Sequence, residues 1–320
     1  MTSTPSASGA AGSPGVAVIG YAFMGKAHSH AWRNVAALRP GAPGVRQQVL
    51  VGRDADAVAA AAGQYGWTES ATDWREVLDR DDIDIVDVCV PGHLHAEVAI
   101  AALEAGKHVI AEKPLANTMA EAEKMVATAK AARERGVHSM VGFNYRRVPA
   151  LALAQRHIAE GRLGDVRQVR VSYLQDWLAD DAAPMTWRLR RELAGSGALG
   201  DLASHAVDQV RFLLGQEVTA VNAITHTFVP QRTGADGPEE VTVDDAAWGT
   251  LRTDGGAVVS LEVTRMATAR KNALGIEVYG STGALRFDLE DLNTLWFYDR
   301  TAPEATQCFT RILGTEAQHP

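Results

Sequence analysis

Hydrophobic residues follow a repeating strand-and-helix pattern over the first half of the chain. Short apolar runs predict buried strands at 16–19, 48–51, 83–90, 109–111 and 138–143. Between them, apolar residues recur at helical spacing over 25–38, 55–65, 96–105 and 119–135. Strands that alternate with helices of this length predict an α/β, Rossmann-type, doubly wound parallel sheet with helices on both faces.

The pattern changes after Arg147. Helices are predicted at 149–159 and 199–214, and strands at 166–173, 218–228, 245–252, 257–264, 275–280, 284–288 and 294–298. Turn residues at 253–256 and 281–283 join strands directly, which predicts hairpins. We therefore expect an α+β domain with an open, mostly antiparallel sheet that has one helix-covered face. The predicted domains are 15–146 and 147–320, after a disordered tail at 1–14.

The composition is that of a soluble globular protein, since 46% of the 320 residues are hydrophobic and 22% are charged. No apolar run approaches the ~18 residues that a membrane span requires. The net charge of −8 argues against nucleic acid and anionic membrane as partners. The two cysteines, Cys89 and Cys308, are too few for a disulfide scaffold, which favours the reducing cytoplasm.

The first strand leads into a glycine-bounded turn, Gly20-Tyr21-Ala22-Phe23-Met24-Gly25. Gly20 allows a tight turn and Gly25 allows close helix packing, while the helix N-terminus offers free N–H groups to a pyrophosphate. Ala22 replaces the middle glycine of the dinucleotide-binding pattern. The turn predicts an NAD(P) cofactor, and an ordinary strand-to-helix turn is the alternative.

The end of the second strand bears on the choice of cofactor. Gly52 stands where an acid that binds the ribose hydroxyls is expected, and Arg53 follows it. An arginine there can bind a 2′-phosphate, which tilts the expectation toward NADP. The alternative is that Arg53 is simply exposed and that Asp54 caps the next helix.

The strand predicted at 109–111 ends in Glu112-Lys113-Pro114. A lysine at the tip of such a strand lies where a hydride-transfer enzyme would hold its substrate. Lys113 is therefore the first catalytic candidate.

Several histidines follow strand ends or lie on the first helix. Pro91, His93 and His95 follow the strand at 83–90 and are expected to line the nicotinamide crevice. The alternative for His93 and His95 is the metal pair of a hydrolase. His28 and His30, two apart on a helix, cannot share a ligand and are interpreted as crevice-edge or surface residues.

The helix predicted at 199–214 carries an Asp-x-x-x-His pair. Asp201 and His205 lie four residues apart, within mutual reach and away from the apolar face of the helix. A carboxylate beside an imidazole fixes its tautomer and raises its basicity. The alternative is a helix-start aspartate near a half-buried histidine.

Taken together, these motifs resemble the Gfo/Idh/MocA family of sugar and polyol oxidoreductases over about residues 15–300. The resemblance rests on 20–25, on Pro91 with His93 and His95, on 112–114 and on 195–208. Residues 144–149, 173–177, 187–188 and 194–201 are similar to the branch that contains levoglucosan dehydrogenase and some inositol dehydrogenases. The family implies Lys113, Asp201 and His205 as the catalytic set, and Glu112 beside the cofactor. A cofactor-binding regulator without catalysis remains the alternative of the same fold.

The resemblance also implies a substrate, a secondary hydroxyl of a cyclic sugar or polyol. We expect Trp177 and Trp187 to stack on the sugar ring. Further side chains are expected to bond its hydroxyls: Asn144, Arg146, Gln175, Asp176 and Arg188.

Two expectations concern the second domain as a whole. Val259, Leu261 and Val263 alternate along one strand, and we expect them on a sheet face without helices that forms a homodimer or homotetramer interface. Relatives continue with a further segment after the strand at 294–298, so we also expect the chain to be truncated at its C-terminus.

Overall fold

A computed structural model of the chain describes residues 12–319. These fall into two compact units, one ending at Gly142 and the other beginning at Phe143. Residues 1–11 of the tail expected at 1–14 lie outside the described residues. In the part of the chain that the structure describes, no helix combines the length and the apolar character that crossing a membrane requires.

The first unit is built on a six-stranded parallel sheet, which confirms the predicted fold. Its strand order is β3-β2-β1-β4-β5-β6, the order of a dinucleotide-binding sheet. The strands are β1 (Gly15–Ile19), β2 (Arg46–Val51), β3 (Glu69–Ala71), β4 (Ile85–Val88), β5 (His108–Ala111) and β6 (Ser139–Val141). The helices are α1 (Phe23–Leu38), α2 (Ala55–Tyr65), α3 (His95–Glu104) and α4 (Met119–Glu134).

Local chemistry sets several of these boundaries. The Asp54 side chain accepts a 2.9 Å hydrogen bond from the Ala57 N–H and so caps α2, as predicted. Thr118 and Glu121 form a capping box at the start of α4. Strand β4 is shorter than its apolar run because only the middle of the run is paired. The short edge strand β3 was not predicted.

The second unit contains an eight-stranded, mostly antiparallel sheet of order β16-β15-β14-β13-β7-β12-β11-β8, in which only β7 and β12 pair in parallel. Its helices are α5 (Pro149–Ala159), α6 (Arg191–Ala194) and α7 (Ser204–Leu214). Its strands are β7 (Val166–Leu174), β8 (Val218–His226), β9 (Gln231–Gly234), β10 (Gly237–Glu240), β11 (Ala246–Thr253), β12 (Val258–Thr264), β13 (Ala273–Gly280), β14 (Gly283–Asp288), β15 (Thr294–Asp299) and β16 (Thr310–Leu313). The hairpin of β9 and β10 was not predicted.

The two faces of this sheet differ from the expectation. Val259, Leu261 and Val263 are buried in the unit's main core, which also contains side chains of α5 and α7. The assignment of these three residues to the helix-free face was therefore wrong. Alternation along a strand shows that one face is buried, but it does not show which face carries the helices.

The helix predicted at 199–214 is not regular throughout. It starts with a π-helical turn, Leu199–Ala203, before α7 continues to Gly215. The Asp244 carboxylate holds this turn through two hydrogen bonds. One oxygen accepts from the Gly197 N–H, just before the turn, at 2.8 Å, and the other accepts from the Leu199 N–H, at its start, at 2.7 Å. A Cβ on Gly197 would lie 1.7 Å from the Asp244 carbonyl oxygen, so only glycine allows this approach.

Candidate active site

The turn between β1 and α1 has the form that a dinucleotide requires. Gly20 has φ of 108°, and a Cβ there would lie 2.4 Å from the carbonyl oxygen of Cys89. A Cβ on Gly25 would lie 1.9 Å from the carbonyl oxygen of Gly20, so both glycines are required by packing. Ala22 precedes the helix with φ of −70° and no side-chain cap, which leaves the first N–H groups of α1 to a ligand.

These features fit a nicotinamide dinucleotide. The backbone of Ala22, Phe23 and Met24 lies where a pyrophosphate would bind, and Phe23 is strongly exposed. Because Ala22 has a negative φ, its methyl group imposes no backbone strain on the turn.

The end of β2 supplies a packing reason for Gly52. A Cβ at this position would lie 2.1 Å from Cε1 and 2.2 Å from Cδ1 of the Tyr21 ring. Arg53 is exposed beside it. Packing against the Tyr21 ring therefore explains why position 52 carries glycine and not the acid expected there, independently of any 2′-phosphate.

His95 is fixed inside the first unit. Its side chain is buried, with Nδ1 2.8 Å from the Pro114 carbonyl oxygen and Nε2 2.9 Å from the Val90 carbonyl oxygen. Both ring nitrogens thus face backbone oxygens, and His95 ties the end of β4 to the turn after β5. This packing corrects the expectation that its ring is free to line the crevice, whereas Pro91 and His93 are partly exposed.

The segment after β5 carries Glu112 and Lys113, and the bond from Lys113 to Pro114 is cis. The Glu112 side chain is buried and reaches His28 on α1, with Oε1 3.0 Å from Nε2. His28 also contacts Asp87 in the middle of β4. His28 is half-buried and bonded to both carboxylates, whereas His30 is exposed as expected.

Only one group of three potential metal ligands occurs among residues 12–319, and it contains neither His93 nor His95. It consists of His28, Asp87 and Cys89, whose ligand atoms lie within 4.8 Å of one another. Burial raises the pKa of the Cys89 thiol to about 12. His28 Nδ1 and the Cys89 thiol both hydrogen-bond the Asp87 carboxylate, so the three residues form a hydrogen-bonded cluster.

His205 is the centre of an aromatic cluster in the second unit. It is buried at the second position of α7. Its ring centroid lies 4.7 Å from that of Tyr145, 5.9 Å from that of Tyr173 and 5.9 Å from that of Phe143. The π-helical turn that carries Asp201 immediately precedes it.

Hydroxyl and amide groups extend from this cluster in a chain. The Tyr145 and Tyr173 hydroxyl oxygens are 2.7 Å apart, and Tyr173 donates to Asn272 Oδ1 at 2.6 Å. Gln175 Nε2 donates to the same Asn272 oxygen at 2.7 Å, and Trp177 Nε1 donates to Gln175 Oε1 at 3.0 Å. Burial, together with the bond from Tyr145, raises the pKa of Tyr173 well above its usual range. Two of the predicted substrate residues, Gln175 and Trp177, thus join the surroundings of His205.

Other predicted substrate residues have different partners. Arg146 forms a bidentate ion pair with Asp208 on α7, with Nε 2.9 Å from Oδ2. Asp176 accepts a hydrogen bond from Lys271 Nζ at 2.6 Å, and this bond holds the pKa of Asp176 below its usual range. The Arg188 guanidinium lies 4.5 Å from the ring of Trp187, and Asn144 is exposed.

Sequence reasoning missed Arg265, Asn272 and the two tyrosines. Arg265 is fully buried, donates to the Asp244 carbonyl oxygen at 2.8 Å and lies 5.3 Å from the Trp177 ring centroid. Burial lowers the pKa of Arg265, while the negative charges of Asp201, Asp244 and Asp245 oppose that effect. Tyr145 and Tyr173 lie inside motifs that were quoted for the family, but nothing in the sequence distinguishes Asn272 or Arg265.

Comparisons with known proteins show the family of the chain. Residues 15–143 match the profile "Oxidoreductase family, NAD-binding Rossmann fold", and residues 151–286 match the "GFO/IDH/MocA C-terminal domain". Levoglucosan dehydrogenase of Pseudarthrobacter phenanthrenivorans is 43% identical over 290 residues, which cover 86% of this chain and 73% of that protein. A crystal structure of an oxidoreductase domain protein from Kribbella flavida is 54% identical with a TM-score of 0.94, covering 96% of this chain and 82% of that one.

A structure of levoglucosan dehydrogenase in complex with NADH and levoglucosan is also similar. It is 40% identical with a TM-score of 0.92, covering 97% of this chain and 82% of that one. The chain belongs to the GFO/IDH/MocA family of oxidoreductases, with a nucleotide-binding domain of the NAD-binding Rossmann type. Family membership confirms the resemblance and overturns the alternative of a metal-dependent hydrolase.

Proposed function

We propose that this protein is an NAD-dependent dehydrogenase that oxidises a secondary hydroxyl of a cyclic sugar or polyol. The proposal is carried by the similarity to levoglucosan dehydrogenase over 86% of the chain. Two features of the structure support it. One is the glycine turn before the uncapped helix α1, and the other is the buried His205 among hydroxyl-bearing rings.

In the proposed mechanism, His205 is the general base that takes the proton of the substrate hydroxyl. Its neighbours support this role, because the hydroxyl-bearing rings of Tyr145 and Tyr173 pack against the buried imidazole. Lys113 orients the substrate oxygen and stabilises the negative charge that develops on it. Asp201 balances these charges or orients His205. The bound dinucleotide supplies the hydride acceptor.

Substrate contacts are proposed for the chain of amide and aromatic groups beyond the tyrosines. Gln175 and Trp177 are connected to each other and to Asn272, so their orientation is set before a sugar binds. Trp177 is exposed, which makes its ring available for stacking. Trp187 and Arg188 form a second stacked pair of the same type.

NAD is the proposed cofactor, in preference to the NADP suggested by Arg53. A similar structure contains NADH, and Gly52 is explained by the Tyr21 ring. Arg53→Ala tests the point by binding titrations with NAD⁺ and NADP⁺. A loss confined to NADP⁺ would assign Arg53 to a 2′-phosphate, and unchanged or equal affinities would remove it from that role.

We also propose that the protein forms a homodimer or homotetramer and is located in the cytoplasm. The helix-free face of the large sheet carries Trp248 and Trp296 among charged side chains such as Glu262 and Arg286. Aromatic and arginine side chains are enriched where proteins associate. Light scattering at micromolar concentration tests the assembly, and a monomer would contradict it.

The activity itself is tested with a panel of anhydrosugars, sugars and inositols with NAD⁺ and NADP⁺, read at the absorbance of the reduced nicotinamide. Reduction of a cofactor by at least one cyclic secondary alcohol is expected. Tight cofactor binding without reduction by any member of the panel, together with no oxidation of NADH by the matching ketones, would favour the non-catalytic regulator.

A further inference from the structure

One side chain inside the first unit connects elements that are far apart in sequence. His28 lies in the second turn of α1, and its Nδ1 is 3.0 and 2.9 Å from the two carboxylate oxygens of Asp87 in β4. Its Nε2 is 3.0 Å from Oε1 of Glu112, directly after β5. Asp87 is fully buried and Glu112 is nearly so. A single imidazole therefore bridges two buried carboxylates.

The charge state of this bridge follows from its geometry. A neutral imidazole has one N–H, so only the imidazolium can donate to carboxylates from both nitrogens. Burial alone lowers the pKa of His28, but the hydrogen bonds to Asp87, Cys89 and Glu112 outweigh it and raise the pKa to about 12. Trp32 Nε1 adds a 2.7 Å hydrogen bond to Asp87 from the same helix. The His28 ring therefore bonds both carboxylates, and Trp32 bonds Asp87 from the same helix.

Glu112 extends the bridge to the lysine. Its second oxygen, Oε2, accepts the backbone N–H of Lys113 at 3.3 Å. On another side, a Cβ on Gly142 would lie 3.0 Å from Oε1, so the end of β6 leaves little free space around this carboxylate. The direction of the Glu112 carboxylate is thus fixed by His28, and the carboxylate in turn bonds the backbone of Lys113.

We propose that His28 is a positioning residue, which holds Glu112 and through it the backbone of Lys113 in the orientation needed for hydride transfer. The proposal rests on the catalytic role proposed for Lys113. Because His28 belongs to the helix that starts at the dinucleotide turn, the same link connects the cofactor-binding helix to the lysine.

The test compares His28→Ala and the larger His28→Gln with two controls on the same helix. His30→Ala removes an exposed histidine two positions away. Trp32→Phe removes the other α1 donor to Asp87 but leaves the contact between His28 and Glu112. For each protein, kcat, the dissociation constant for NAD⁺, the kinetic isotope effect with a deuterated substrate and the melting temperature are measured.

Both His28 variants should lose about tenfold or more in kcat while NAD⁺ affinity changes less than about threefold, and the isotope effect should rise because hydride transfer becomes more rate-limiting. Trp32→Phe should lower the melting temperature without this loss, and His30→Ala should change neither. The double variant His28→Ala with Glu112→Ala should lose no more kcat than the more impaired of the two single variants, since both changes act through one link. A drop in melting temperature alone, or losses that multiply, would overturn the proposal.

A second readout does not depend on activity. Amide hydrogen exchange in a peptide that contains Lys113 should be faster in both His28 variants than in His30→Ala, because the acceptor of the Lys113 N–H is released. Unchanged exchange would contradict the positioning role even if Lys113 proved non-catalytic. A different result would separate the two proposals. If exchange is faster in the His28 variants but Lys113→Met keeps full activity, the link from His28 through Glu112 to the Lys113 backbone stands and only the catalytic role of Lys113 is rejected.

Discussion

Arg146 and Asp208 form a bidentate ion pair that ties the turn after the first unit to the helix carrying His205. Arg146 Nε lies 2.9 Å from Asp208 Oδ2, and a second guanidinium nitrogen bonds Oδ1. Asp208 is buried and lies three residues after His205 on α7. The pair therefore fixes α7 and engages the guanidinium that was expected to contact a substrate hydroxyl.

Arg146→Met should destabilise the protein, because it leaves the buried Asp208 carboxylate without its main partner. The arginine side chain is 40% exposed, so solvent screens the pair, and we expect a loss of about 2 kcal/mol rather than the larger cost of a fully buried pair. Denaturant unfolding measures the loss. The double variant Arg146→Met with Asp208→Asn should recover part of the stability, and no recovery would show that the pair is not the cause.

Lys113→Met should keep NAD⁺ binding and lose most hydride transfer, because the lysine acts on the substrate oxygen. A fall in kcat of less than about tenfold, or ~1.4 kcal/mol of barrier, would contradict its catalytic role. Lys124→Met on the exposed side of α4 is the matched control and should leave activity unchanged.

Gly52→Ala should destabilise the first unit, because the new methyl group would overlap the Tyr21 ring at 2.1 Å. Overpacking of this kind costs about 1–3 kcal/mol. Adding Tyr21→Ala should remove most of the cost. Gly63→Ala, in α2 with nothing within 4 Å of the new Cβ, should instead stabilise by up to about 1 kcal/mol. Thermal unfolding of these three variants measures the effects, and equal effects at positions 52 and 63 would refute the packing explanation.

Acid should weaken the second unit through His157, which is buried beside Arg162 and Phe297. Burial first, and then the positive charges of Arg162, Arg156 and His319, lower the pKa of His157 to about 4. The folded state thus favours neutral imidazole, so this contribution to stability is present above pH 6.5 and is lost as the pH falls from 6.5 to about 4. Its size is about 3 kcal/mol at most.

Melting temperatures between pH 7 and pH 4 check this prediction in the wild type and in His157→Phe, whose ring cannot be protonated. The variant should lose less stability over this range than the wild type. Parallel curves would assign the acid sensitivity to the carboxylates instead.

The sequence predicted the regular elements well because their periodicity is local. Buried parallel strands read as apolar runs, and the Asp54 cap and the hairpin turns have short sequence signals. Strand β3 has no such signal, since a three-residue polar edge strand is defined only by pairing with β2.

The side-chain partners within the site were not predictable to the same extent. His28 and Glu112 are 84 residues apart, and Tyr145 and Asn272 are 127 apart, so only the tertiary fold brings them together. The π-helical turn before His205 likewise depends on Asp244, from a distant segment. Residue type identified the candidates, whereas their partners required the structure.

Transfer of deuterium from the substrate to the cofactor tests the proposed dehydrogenase activity directly. A cyclic sugar or polyol that the enzyme oxidises is deuterated at its ring carbons and incubated with NAD⁺, and the reduced cofactor is examined by mass spectrometry. The NADH should carry one deuterium, because the hydride passes directly from the carbinol carbon to the nicotinamide. Reduced cofactor without deuterium, or no reduced cofactor with any cyclic alcohol, would contradict it.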